Sequence, residues 1–132
     1  MKKSLLAVLV AVIALAVLGG CSKGYESQKT AGDLKIMLKA DRYPLIKGDN
    51  SLSVALSDAA GKAVTDASVQ AKYYMPPMAG MAPMDFTAQT VSQGGRYSFS
   101  ANIPMEGGWK VDVTATQPGK APVTTTFNVD AR

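Results

Sequence analysis

The chain has 132 residues, with 14 Lys and Arg against 10 Asp and Glu, for a formal net charge of +4. That length accommodates one domain and no second full core. With no His and a single Cys, the chain excludes imidazole general bases, Ser-His-Asp and Cys-His catalysis, internal disulfides, CxxC redox pairs and Cys-rich zinc sites. The first element, Met1 to Gly20, sets Lys2 and Lys3 before an unbroken apolar run from Leu5 to Leu18. This run is shorter than the ~20 residues that a bilayer span needs, and with Gly19-Gly20 ending it, it has the form of a signal peptide. Residues 1–20 are therefore expected to be removed, and the loss of both lysines lowers the formal charge from +4 to +2. No basic patch, Arg cluster or aromatic interleaving points to nucleic acid.

Leu18-Gly19-Gly20-Cys21 resembles the lipobox of bacterial lipoproteins, with the apolar run, the small residues and the Cys in the required order. The resemblance implies cleavage before Cys21, lipid on its sulfur and amine, and a membrane-anchored chain facing the periplasm. Ser22, standing where an Asp would signal inner-membrane retention, favours the outer membrane by the same resemblance. Residues 21–32 (CSKGYESQKTAG) are mostly small and polar without periodicity, and they read as a lipidated Cys followed by a flexible tether.

From residue 33 to residue 132 apolar residues alternate with polar ones. Leu34, Ile36 and Leu38 form one series, and Leu52, Val54 and Leu56 a second. Further series are Val69, Ala71 and Tyr73; Tyr97, Phe99, Ala101 and Ile103; Trp109, Val111, Val113 and Ala115; and Val123, Thr125, Phe127 and Val129. Asp85 to Ser92 makes a further strand. Period-two alternation signals half-buried strands. The breaks carry turn residues, as in Lys47-Gly48-Asp49-Asn50, Ala60-Gly61-Lys62, Gln93-Gly94-Gly95 and Glu106-Gly107-Gly108. About seven short strands predict an all-β, immunoglobulin-like antiparallel sandwich. Trp109 reads as a core residue whose ring nitrogen reaches a polar partner near the sheet edge.

One segment does not fit a plain sandwich. Met75, Met78, Met81 and Met84 recur at a spacing of three among Pro76, Pro77 and Pro83. Proline disfavours helix and central strand, and polyproline II, with three residues per turn, would put the four methionines along one side about 9 Å apart. More than two could converge on one ion only if the chain bends, and Gly80 is where it can. Thioether sulfur is soft and neutral, suits Cu(I) and disfavours Mg, Ca and Mn. Met105, from another loop, is a candidate further ligand. The same row also reads as flexible apolar packing or as an adaptable surface for a protein partner.

The stretch from Leu52 to Val113 resembles the YtkA-like domain family, related to FixH-type proteins. The matching residues are Asp58-x-x-Gly61-Lys62-x-Val64, Met75-Pro76-x-Met78, Gly95-Arg96-Tyr97 and Gly107-Gly108-Trp109-Lys110-Val111. The resemblance implies an immunoglobulin-like sandwich, secreted or membrane-tethered, and a link to copper handling through heavy-metal efflux or cytochrome oxidase assembly. It carries Met75 and Met78 over as copper-contacting residues. Met81 and Met84 follow from spacing, and the missing His leaves Cu(I) as the motivated ion. The expected protein is a non-enzymatic Cu(I) binder with an efflux or oxidase-assembly partner. Its alternative is an interaction module that docks on an envelope complex through the same loop. Asp41, Asp49, Asp58 and Glu106 fall singly in turns, where capping and solvation explain them.

Overall fold

The computed structural model describes residues 24–132. The expected signal peptide and Cys21 lie outside the described residues. Among the described residues nine strands are present, in the order β1 Tyr25–Ala31, β2 Leu34–Ala40, β3 Gly48–Ser57, β4 Ser68–Met75, β5 Met84–Gln89, β6 Val91–Gln93, β7 Arg96–Ile103, β8 Gly107–Thr116 and β9 Val123–Ala131. They form two antiparallel sheets, ordered β1-β2-β3-β7-β6 and β5-β4-β8-β9. Among the described residues no helix is long and apolar enough to cross a membrane.

The alternation read from the sequence is the alternation of the core. Ile36, Leu38, Val54 and Ile103 from the first sheet meet Ala71, Val111, Val113 and Phe127 from the second, each at most 2% exposed. Residues two apart along a strand share a face, so each such series closes one side of a single interior.

The strand count exceeds seven for two reasons. Residues 25–31, read as part of a tether, pair in full register with β2, from Tyr25 opposite Ala40 to Ala31 opposite Leu34. The segment lacks an apolar stripe because most of β1 is exposed. It is held by the backbone ladder, by the Tyr25 hydroxyl donating to the Asn128 carbonyl at 3.2 Å, and by Lys29 Nζ donating to the Thr126 carbonyl. The second reason is that the stretch read as one strand from Asp85 to Ser92 divides. β5 pairs with β4 in one sheet, and β6 pairs with β7 in the other. Thr90 stands at the crossing, where its Oγ1 donates to the Val69 carbonyl at 2.7 Å.

Two polar groups fix the connections. Asn50, 6% exposed, accepts from Ile46 N–H at 2.9 Å and donates through Nδ2 to the Ile46 and Gly48 carbonyls at 2.8 and 3.0 Å. Asp58 caps its turn as expected, with Oδ1 accepting from the N–H groups of Ala60 and Lys62, both at 2.9 Å.

Candidate metal centre at the methionine hairpin

β4 and β5 form a hairpin whose ladder ends at Met75 opposite Met84. Directly opposed residues share a face with Cα atoms about 5 Å apart, so these two methionines point to the inner side. Met75 is buried, at 6% exposure, and Met84 is partly buried against the core. Pro76, Pro77 and Pro83 have no N–H to extend the ladder. The chain reverses between them: Met81 N–H donates to the Met78 carbonyl at 3.1 Å, with Gly80 at φ +83°. A β-turn with a left-handed third residue favours glycine there. The four methionines therefore do not line one side of a polyproline helix. Gly80 supplies the bend, and the row folds back so that its first and last members face each other.

The structure brings Met75 and Met78 into one pocket of about 200 Å³, lined also by Pro76, Glu106, Gly107 and Gly108. Met78 remains 49% exposed, and Met81, at the far side of the turn, 39%. Met105 does not line this pocket. It is partly buried against the core, one residue before Glu106, and its carbonyl accepts from Trp109 Nε1–H at 3.1 Å. Trp109 itself is 1% exposed, so it is a core residue with a polar partner, as its position in the sequence suggested.

Beneath the hairpin, Tyr73 and Phe86 stack at 5.2 Å, and Trp109 lies 6.3 Å from each ring. The Tyr73 hydroxyl accepts from Asn102 N–H at 3.2 Å and ties the hairpin to the other sheet. Tyr74, next to Met75 on the outer face, has its phenol pushed above the ordinary value of 10.0, first by burial and then by the Asp112 carboxylate.

Glu106, Gly107 and Gly108 were not singled out as pocket residues by their sequence positions. Glu106 is the pocket's only charged lining residue. Gly107 has φ +134°, and a Cβ built on it would lie 2.9 Å from Met75 Cε. The available signal was the pair of glycines directly after Met105-Glu106, because a strand that opens on two glycines marks a close approach of another chain segment.

The arrangement offers soft, neutral sulfur beside a single carboxylate. Among the described residues no three of His, Cys, Asp and Glu come together as a metal cluster. A larger concavity, about 660 Å³, lies elsewhere, on the outer face of the five-stranded sheet over Ser51, Ser53, Ser98 and Ser100, with Lys39 and Arg96 beside them. Its floor is hydroxyl-bearing sheet surface, and it adds nothing to the methionine site.

The YtkA-like family model matches residues 28–114, and the chain belongs to that family. No curated protein matches it in sequence. Copper-reconstituted P19 from Campylobacter jejuni superposes with a TM-score of 0.56 at 11% identity, covering 82% of this chain and 96% of that one. FetP from uropathogenic Escherichia coli strain F11 gives 0.55 at 14% identity, covering 82% and 95%. The soluble domain of PmoD from Methylocystis gives 0.52 at 13%, covering 80% and 96%. At these identities the likeness is one of fold.

Proposed function

We propose that this chain is a lipid-anchored, non-catalytic protein facing the periplasm, which binds Cu(I) through its methionine hairpin for copper efflux or delivery. The observation that carries the reading is the seating of Met75 and Met78 in one pocket with Met84 directly across the ladder from Met75. Thioethers suit Cu(I) over the hard divalent ions, and the Glu106 carboxylate supplies negative charge beside a monovalent cation. Met81, across the turn, and Met105, one residue before Glu106, complete the proposed set as flexible side chains. The family membership and the existence of copper-bound P19 and FetP structures on the same fold support the reading. The anchor rests on Cys21 and the residues before it.

The test is an anaerobic Cu(I) titration of the chain from residue 22 against a competing chelator, beside a variant with Met75, Met78, Met81 and Met84 all changed to Leu. Leu keeps volume and apolar character, so the fold should survive. Stoichiometric binding by the natural chain that disappears in the variant is expected; equal affinity in both would remove the methionines from the mechanism. A second reading is favoured by the exposure of Met78 and Met81: an interaction module docking on an envelope efflux or oxidase complex. On that reading the Leu variant keeps its partner, and a Ser variant at the same positions loses it.

A further inference from the structure

The hairpin and the start of the domain lie at the same end of the sandwich. The Tyr25 hydroxyl reaches the Asn128 carbonyl at 3.2 Å, Asn128 faces Lys110, and Lys110 faces Tyr74, the residue before Met75. β1 runs away from this end and β4 runs towards it. The chain therefore enters β1 at the same end of the sandwich at which it leaves β4 for the hairpin. Gly24 is already seated on the β2 end, since a Cβ there would lie 2.8 Å from the Ala40 carbonyl oxygen. Only Ser22 and Lys23 separate it from Cys21, a reach of at most about 11 Å.

The hairpin matches that reach. Its tip is four residues beyond the Met75–Met84 pair and can project up to about 14 Å. From Met75 to Met84 every side chain is Met, Pro, Ala or Gly, with no charge and no hydroxyl. Met78 and Met81, 49% and 39% exposed, are its outermost large groups. The opposite end, formed by the turns at Asp58–Lys62 and Gln117–Lys120, is about 30 Å away, the length of the ten-residue strand β8.

We infer that the Met75–Met84 hairpin rests in the head-group region of the bilayer to which Cys21 is tethered. The inference uses the anchored part of the proposed function and does not depend on copper. An end-on stance is the one that brings both the acyl chains and the uncharged finger to the lipid. Two membrane contacts at separate points of one end also fix orientation, which one tether alone does not. Tyr25 and Tyr43, tilted against each other at 4.9 Å near the tether, are aromatic residues of the kind enriched at bilayer interfaces. The exposed charges around them at this end, Arg42, Lys47 and Arg132 with Asp41, Asp49, Glu106 and Asp130, are mixed in sign and suit a zwitterionic head-group layer.

The experiment uses the full chain, processed in bacteria and reconstituted in phosphatidylethanolamine–phosphatidylglycerol vesicles. Ala79→Cys at the finger tip and Ala60→Cys in the far turn each supply the single free thiol once Cys21 is acylated. Each thiol is labelled with a polarity-sensitive fluorophore, and lipids carrying a nitroxide at the head group serve as quencher. The expected result is a blue-shifted Ala79 probe quenched several-fold more than the Ala60 probe, with the difference abolished by Met78→Glu plus Met81→Glu. Equal quenching of both probes on a chain whose intact mass carries the lipid would overturn the inference. So would quenching seen only in native membranes, which would assign the finger to a membrane protein. If the mass shows Cys21 unmodified, the anchor itself fails. The chain from residue 22 carrying an N-terminal hexahistidine, held on nickel-chelating lipid, then decides the orientation by the same comparison.

Discussion

Gly107 is the residue on which the geometry of the pocket most directly depends, and Gly107→Ala tests it. Two costs add. The backbone stands at φ +134°, a region that L-residues rarely adopt, which costs about 1–3 kcal/mol. The new methyl would also lie 2.9 Å from Met75 Cε. The terminal methyl of Met75 can swing aside, but Met75 is buried, so moving it off its rotamer costs about 0.5–1.5 kcal/mol. A loss of roughly 2–4 kcal/mol follows, a fall in Tm on the order of 10–20 °C for a domain of this size. Urea unfolding of the chain from residue 22, followed by circular dichroism, measures it. The two costs separate in a double-mutant cycle. Met75→Ala alone removes a buried side chain at about 2–4 kcal/mol, and in that background Gly107→Ala keeps the backbone cost but loses the clash. The double variant should therefore be less destabilised than the two single losses together by more than ~0.5 kcal/mol, the usual scatter of additivity. A Gly107→Ala protein as stable as the natural one, or strict additivity in the cycle, would refute the close packing of Met75 on the β8 backbone.

Other substitutions probe the elements around the site. Asn50→Ala leaves the Ile46 N–H and two carbonyls without their side-chain partner and should cost about 2–3 kcal/mol in urea unfolding. Trp109→Phe removes the Nε1–H bond to the Met105 carbonyl; a loss of about 1–2 kcal/mol, with faster amide exchange across residues 105–108, is expected. Thr90→Val removes the hydroxyl that donates to Val69 at the sheet crossing and should cost about 1 kcal/mol. Tyr43 and Tyr74 both have phenols pushed above 10.0, in each case first by burial, with Asp130 and Asp112 respectively as the neighbouring carboxylates. A phenol whose folded pKa is raised contributes stability that is complete below pH 10 and is lost as pH rises through the folded pKa. The natural chain should therefore lose stability above pH 10 more steeply than a Tyr43→Phe, Tyr74→Phe variant, measured by urea midpoints from pH 9 to 11.5.

Much of the fold was legible because burial writes itself into a strand as alternation. Leu34, Ile36 and Leu38, or Trp109, Val111 and Val113, could be assigned to the interior from spacing alone, and they are there. β1 could not, because an edge strand held by main-chain bonds and long-range contacts from Tyr25 and Lys29 needs no apolar stripe. Nor could the break at Thr90, since leaving one sheet for another changes which backbone groups pair and leaves the side-chain pattern almost continuous. The methionine spacing identified the segment but implied the wrong shape. A period of three fits polyproline II, and one left-handed residue, Gly80, was enough to fold the row into a hairpin. Glu106 and Gly107 were invisible as site residues because their role comes from facing β4, a relation set by pairing between strands far apart in sequence.

Both ends of the sandwich are pinned by side chains from within the domain. At one end two connections are two-residue glycine turns, Gly32-Asp33 and Gly94-Gly95, while the longer one between β3 and β4 is capped by Asp58 and held by the Tyr97 hydroxyl, which accepts from Ala67 N–H at 3.1 Å and donates to the Val64 carbonyl at 3.3 Å. At the other end the connections run over residues 41–47, 76–83 and 104–106. Asn50 holds the segment before β3, Trp109 holds the Met105 carbonyl, and Tyr73 reaches Asn102 across the sheets. A buried hydrogen-bonding group that fixes a surface loop adds stability mainly by what its loss would leave unpaired. What distinguishes the second end is the methionine loop: residues 76–83 lie there without a polar side chain of their own. The seating of Met75 and Met78 in one pocket at this end, with Met84 across the ladder, is why the proposed function lies here and not at the larger serine-lined hollow.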